Sequence, residues 1–302
     1  MNALSVIDIA LWDIAGKHYG EPIHHLLGGP VKNRVRFYAH IAETLPQVVE
    51  HAVELVKAGI TAARWAPMEL NFQKKRYSRV MQDAVDQVRA IREAVGDDVD
   101  ICLDFHGRFE PWEAVTMMKE LEKFHPFFVE DPILHENIDQ MADVAAYSNV
   151  PIATGERLYT IHDFMQLLSR KAVRMVRPDL CIAGGFTGLK KIAAMTEACY
   201  VGVILHLNPI PSVHLDAAIQ NFTLQEGVIP QVIGTKEGKP LLKGLSKMEG
   251  GYIIVPNRPG LGIEFNDEAV RDFDQLQRAT PRFPGTSPQR PFFREDTSFA
   301  EW

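Results

Sequence analysis

Residues 101–157 read ICLDFHGRFEPWEAVTMMKELEKFHPFFVEDPILHENIDQMADVAAYSNVPIATGER. Three short apolar runs within this stretch each end on an acid: Ile101 to Asp104, Phe127 to Glu130, and Ile152 to Glu156. The separations are equal, 130 − 104 = 26 and 156 − 130 = 26. A strand, a turn, a helix and a return loop take up about this length in a parallel barrel. Each carboxylate then falls at the C-terminal end of a successive strand, on the face where barrel active sites lie. Three carboxylates converging there repel one another unless a cation holds them. Oxygen-only donors, with no adjacent Cys or His pair, select a hard ion, so Mg²⁺ is the expected partner of Asp104, Glu130 and Glu156. Capping or salt-bridge carboxylates at chance spacing are the plainer alternative.

The same unit extends in both directions. Upstream, Val35–Ala39 and Ala62–Trp65 read as strands, with helices over Leu45–Ala58 and Ser78–Val95. Downstream, helices over Asn137–Ser148 and His162–Arg170 alternate with strands at Pro151–Gly155 and Arg174–Arg177. Gly202–His206 and Leu224–Glu226 supply strands seven and eight. The expected fold is α/β, a TIM-like (β/α)7β barrel. Ahead of it, residues 3–18 form an amphipathic helix whose stripe of Leu4, Ile7, Leu11 and Ile14 implies burial against a large body. Gly20 and Pro22 end that helix. The expected organisation is a leading helix and turn over 1–34, a catalytic barrel over 35–250, and small strands with a surface-wrapping tail over 251–302. Pro281–Trp302 is polar and Pro-rich, without periodicity.

Further candidates flank the triad. His106 lies two residues beyond Asp104, so a continuing pleat turns both toward the mouth, placing an imidazole for proton transfer. Asp179 and His206 are one unit apart, 206 − 179 = 27, and a carboxylate on an imidazole fixes its tautomer and raises its basicity. Glu226 at strand eight either supports an oxyanion when protonated or acts as an outer partner of the site. Arg64 at strand two suits a substrate carboxylate or hydroxyl. Lys74, Lys75 and Arg76 read as a solvated run in a longer loop. Ala183–Gly188 (AGGFTG) is glycine-rich but lacks the GxGxxG spacing of a phosphate loop.

With 302 residues, 46% hydrophobic and 24% charged, the chain has the composition of a globular protein able to bury a large core. A net charge of −7 and no basic patch argue against nucleic acid. No apolar run is long enough for a membrane span and no secretory leader is evident, so a cytoplasmic location is expected. Cys102, Cys181 and Cys199 form no CxxC pair and are expected to be buried free thiols.

Asp104-Phe-His106-Gly-Arg108, Phe-Val-Glu130-Asp-Pro, Gly-Glu156-Arg, Arg-Pro-Asp179-Leu and Ala-Gly-Gly-Phe-Thr-Gly, in this order, resemble the enolase superfamily, mandelate racemase subgroup, and most nearly its sugar-acid dehydratases. The resemblance runs through nearly the whole chain. It implies Mg²⁺ on Asp104, Glu130 and Glu156, a base formed by His206 with Asp179, and an acid, His106, that assists departure of a β-hydroxyl. It also implies a substrate of the galactonate type, with Arg64, Arg108 and His214 as contacts, and a homo-oligomer. Three departures stand out. The N-terminal capping domain of such proteins is expected to be absent, the chain starting at the helix that would follow it. Strand two carries Ala62-Ala-Arg64-Trp where many racemases have Lys-x-Lys, which disfavours a two-base racemase. The segment His206–His214 is short and leaves His214 as a second claimant for the base. An acid-sugar epimerase and an inactive, metal-binding barrel are the alternatives.

Overall fold

Successive residues of a strand point to opposite faces, so alternate positions of a closed parallel sheet fill its interior in layers of four. The computed structural model of the chain describes residues 1–41, 44–68, 72–227 and 241–271. After α1 (Asn2–Tyr19) and α2 (Ile23–Leu26) come β1 (Arg34–His40), α3 (Gln47–Lys57), β2 (Ala62–Trp65), α4 (Tyr77–Val95) and β3 (Asp100–Asp104). They are followed by α5 (Pro111–Leu121), β4 (Phe128–Glu130), α6 (Ile138–Tyr147), β5 (Ile152–Thr154), α7 (Ile161–Ser169) and β6 (Met175–Val176). The series ends with α8 (Gly185–Ala198), β7 (Gly202–Leu205), α9 (Pro209–Ala218) and β8 (Phe222–Gly227). All neighbours from β1 to β8 pair in parallel, and β8 pairs in parallel with β1, closing the barrel. Among the described residues seven α-helices lie between eight barrel strands, the expected (β/α)7β order.

Inside the barrel, Tyr38, Cys102, Ala153 and Ile204 from odd strands and Ala62, Phe128, Met175 and Leu224 from even strands form one buried cluster. Large rings meet small side chains, which is how a tapered interior fills without voids. The helices pack outside on a second core. Along α4, Val80, Ala84, Val88 and Ile91 recur on one face and are buried. Each of the Val and Ile side chains contributes roughly 1.5–3 kcal/mol when fully buried. Tyr252–Ile254 pairs antiparallel with β1 below the barrel, and Glu264–Phe265 pairs with Leu242–Lys243. The tail read as Pro281–Trp302 lies outside the described residues. Among the described residues no helix is long and apolar enough to cross a membrane. The thiols differ from expectation: Cys102 is buried, but Cys181 is half-buried and Cys199, at the end of α8, is exposed.

The orientation of α1 also differs from expectation. Leu4, Ile7, Leu11 and Ile14 face outward, each more than half exposed. The opposite face docks on α8 instead, and hydrogen bonds specify it. The Gly184 amide donates to Ser5 Oγ (2.9 Å), the Thr187 amide to Asp8 Oδ2 (3.0 Å), and Trp12 Nε1 donates to Thr187 Oγ1 (3.0 Å). So α1 caps α8, and the Asp8 carboxylate complements the positive end of its dipole. Two amides of the glycine-rich segment, those of Gly184 and Thr187, are thereby bonded to α1. Gly185 has φ +65, and a Cβ there would collide with the Asp8 carboxyl. Gly185→Ala is therefore expected to destabilise the protein by about 1–3 kcal/mol and to loosen α1. The urea midpoint and the rate of proteolysis near Gly20 measure both. An unchanged midpoint would show that the close approach is dispensable.

Candidate active site

Two residues above the buried layers, the same pleats become polar. From Ala62, Phe128, Met175 and Leu224, a step of two reaches Arg64, Glu130, Arg177 and Glu226 on the even strands. From Tyr38, Cys102 and Ile204 it reaches His40, Asp104 and His206. The even layer alternates in charge and closes on itself. Arg64 Nε lies 3.3 Å from Glu130 Oε2, Arg177 Nε 2.8 Å from Glu130 Oε1, and Arg177 Nη2 2.8 Å from Glu226 Oε2. His40 completes the ring: its Nε2 donates to Glu226 Oε1 (2.6 Å), and its Nδ1 accepts from Arg64 Nη1 (3.4 Å). Arg177 also donates to the Tyr38 hydroxyl. Arg177 and Glu130 are fully buried and Glu226 nearly so. Charges this deep persist only because each is paired and hydrogen-bonded.

Asp104 and Glu130 sit in register on adjacent strands, and Glu156 follows β5. Arg64 Nη2 makes a short ion pair with Asp104 Oδ2 while its Nε faces Glu130, so one guanidinium spans two of the three carboxylates. Burial pushes the Glu130 carboxyl up against the pull of Arg177 and Arg64. Burial also works on Glu156, but His206, Arg177 and Arg157 outweigh it and hold that carboxyl below its ordinary value. As the side chains stand, no group of three or more His, Cys, Asp or Glu among the described residues is arranged to hold a metal ion. The donor chemistry nonetheless fits a hard divalent cation, three carboxylates at neighbouring strand ends, once Arg64 yields its two partners.

His206 Nδ1 donates to Asp179 Oδ2 (2.8 Å), and the Cys181 amide donates to Asp179 Oδ1 (2.6 Å). Asp179 is thus fixed and holds the proton of Nδ1, while Nε2 faces Glu156 Oε2 at 3.3 Å. His106 reaches the same carboxylate from the other side, Nε2 3.8 Å from Glu156 Oε1. It does not lie on the pleat. β3 ends at Asp104, and His106 adopts φ 51 in the turn, its amide donating to Asp104 Oδ1 (2.7 Å). At Glu226, burial raises the carboxyl, but Arg177, the His40 hydrogen bond and His206 together hold it well below the usual range. It is ionised, which leaves the role of outer partner rather than hydrogen-bond donor.

Two expected contacts lie elsewhere. Arg108 stacks over Phe72 (5.7 Å) and lines a cavity beside the mouth with Phe109, Leu134 and Asn137. His214 belongs to α9, a helix that the sequence pattern does not mark, and is fully buried away from the cluster. Its Nε2 donates to the Leu261 carbonyl (3.2 Å), so its Nδ1 accepts from His24 Nδ1 (3.2 Å). Burial lowers both imidazoles to about 4, with His25 pushing His24 the same way and Glu21 opposing. Between pH 6.5 and about 4 the unfolded chain binds two protons there that the folded chain does not. Stability from this pair is therefore full above pH 6.5 and falls on acidification through that window. The double variant His24→Asn, His214→Asn should show a flatter fall in urea stability from pH 6.5 to 4 than the parent. Equal slopes would exclude the pair as the cause. The residues that sequence reasoning passed over are Arg177 and His40, and their signal is the step of two from the buried layers.

The family model described as Enolase C-terminal domain-like matches residues 47–269. The chain belongs to the enolase superfamily. The N-terminal domain model of the mandelate racemase/muconate lactonizing enzyme group matches residues 1–28, the segment of α1 and α2. Among superfamily relatives, D-galactonate dehydratase of Ralstonia pickettii (strain 12J) is 37% identical over 317 positions, covering 100% of this chain and 79% of the relative. D-galactonate dehydratase of Pectobacterium atrosepticum is 37% identical over 281 positions, covering 89% and 73%. A crystal structure from Agrobacterium radiobacter, provisionally assigned as a galactarate dehydratase and bound to sodium and L-malate, superposes with a TM-score of 0.83. It is 31% identical and covers 97% of this chain and 77% of that one.

Proposed function

We propose that this superfamily member is a Mg²⁺-dependent dehydratase of a galactonate-type aldonic acid. The observation that carries the reading is the imidazole–carboxylate pair His206–Asp179, whose second ring nitrogen faces Glu156 beside the other two carboxylates. The similarity to D-galactonate dehydratases over the full chain supports the substrate class. A hydrogen α to a carboxylate is a very weak acid, and a divalent cation on Asp104, Glu130 and Glu156 supplies the positive charge that stabilises the enediolate. His206 Nε2 takes the α-proton, and Asp179 stabilises the imidazolium that results. His106 delivers a proton to the departing β-hydroxyl. Loss of water then leaves an enol that becomes a 2-keto-3-deoxy acid. Arg64 offers a planar pair of donors to the substrate carboxylate or a hydroxyl.

Incubation with a panel of aldonic and aldaric acids, with Mg²⁺ or with chelator, tests this directly. The expected product is a 2-keto-3-deoxy acid, formed with Mg²⁺ and absent with chelator. Recovery of an epimer in place of it, or no turnover of any acid on the panel, would overturn the reading.

A further inference from the structure

We propose that Arg64 competes with the divalent cation for Asp104 and Glu130, so that the guanidinium and the metal exclude one another and Arg64 sets the metal affinity of the site. The inference rests on the reading of Asp104, Glu130 and Glu156 as ligands. It goes beyond that reading by assigning a regulator of occupancy. The geometry is specific. Nη2 lies on Asp104 Oδ2 and Nε on Glu130 Oε2 (3.3 Å), so one edge of a planar group bridges two carboxylates that sit in register on β3 and β4. Glu156, the third carboxylate, is held by other groups: His206 Nε2 at 3.3 Å, Arg157 Nε at 3.6 Å and Arg177 Nη2 at 3.9 Å. The set is thus divided, two carboxylates under Arg64 and one under the histidines.

Arg64 spans Asp104 and Glu130 together, so an ion of charge +2 bound by those same oxygens would meet its positive charge at short range in a poorly solvated site. Entry of the ion therefore requires Arg64 to leave. The remaining ring tolerates the departure. Glu130 keeps Arg177 at 2.8 Å, and Glu226 keeps Arg177 and His40. Arg64 has somewhere to go, since its side chain is 14% exposed while that of Arg177 is fully buried. The displaced fork then stands free at the mouth. The two arginines of the layer thereby divide their duties: Arg177 is fixed and Arg64 is exchangeable.

Calorimetric titration with Mg²⁺ alone, paired with thermal unfolding with and without Mg²⁺, tests the proposal without any assay of turnover. Arg64→Met removes the competitor and keeps an apolar stem. It is expected to bind Mg²⁺ about tenfold more tightly or better, since a site closed most of the time loses affinity by the closed fraction. Without Mg²⁺ the variant should melt below the parent, because Asp104 and Glu130 have lost a counter-charge, and saturating Mg²⁺ should close that gap. Arg64→Lys separates occupancy from mere charge, as it keeps the charge but cannot span both carboxylates. Its affinity should move toward that of Arg64→Met, and it also serves if the Met variant fails to fold. A Lys variant indistinguishable from the parent, or a Met variant with unchanged or weaker binding, would overturn the proposal while leaving the ligand assignment standing. Absence of Mg²⁺ binding in parent and variants alike would overturn both.

Discussion

Asn in place of His206 is expected to lower turnover by about 10²–10⁴-fold, the usual contribution of a positioned general base, and to abolish exchange of the substrate α-hydrogen with solvent deuterium. The substitution is conservative in shape. An amide can still donate to Asp179 Oδ2, so the 2.8 Å contact and the loop around it have a replacement partner. What disappears is the second ring nitrogen, the one that opens beside Glu156. His106→Asn should behave differently. It leaves the base intact, so exchange should continue at least in part while loss of the hydroxyl stops. NMR of recovered substrate in deuterium oxide distinguishes the two. Equal loss of exchange in both variants would mean that the roles are shared or reversed.

Arg177→Met is expected to be the most destabilising single change in the barrel. Arg177 lies fully buried between Glu130 and Glu226, with Glu156 3.9 Å away and the Tyr38 hydroxyl below it. Removing one partner of a buried ionic network costs roughly 3–5 kcal/mol, and here it strips the central guanidinium from two buried acids that keep Arg64 and His40 opposite them. For a domain of this size that lowers the melting temperature on the order of 10 °C. The sign with pH follows from Glu226, whose carboxyl the guanidinium, His40 and His206 hold well below its ordinary value despite burial. A depressed carboxyl stabilises the fold above its unfolded value and ceases to do so as pH falls through the folded one. The deficit of the variant should therefore narrow in acid. A variant as stable as its parent at neutral pH would show that another group carries the layer.

The barrel was legible because its strands are short apolar runs closed by chemistry. Ala62–Trp65 is read with the bounds that the structure has, the run from Ile101 to Asp104 misses its strand by one residue, and the equal spacing of Asp104, Glu130 and Glu156 follows from the repeat itself. Other features depend on contacts between distant segments. The stripe of Leu4, Ile7, Leu11 and Ile14 suggests the buried face of α1, yet hydrogen bonds accepted by Ser5 and Asp8 and donated by Trp12 choose the other one. Reading strand one as ending at Ala39 leaves out His40, and reading Arg177 as the close of strand six hides its inward direction. His214 draws attention only through its nearness in sequence to His206. α9 turns it toward His24 instead, after two residues, Leu207 and Asn208, with φ 49 and 45.

Closure of β8 on β1 bears on how the protein is made. Tyr38 pairs in register with Glu226, so the first strand lacks one of its two barrel neighbours until the last has been synthesised. From Arg34 to Gly227 is 227 − 34 = 193 residues. At ribosomal rates of about 5–20 residues per second, that is a wait of roughly 10–40 s. α1 waits nearly as long for α8. Throughout, a strand edge and the face of α1 that docks on α8 stand open to other nascent chains. Chaperone supply and translation speed should therefore govern the soluble yield of this protein more than its final stability does.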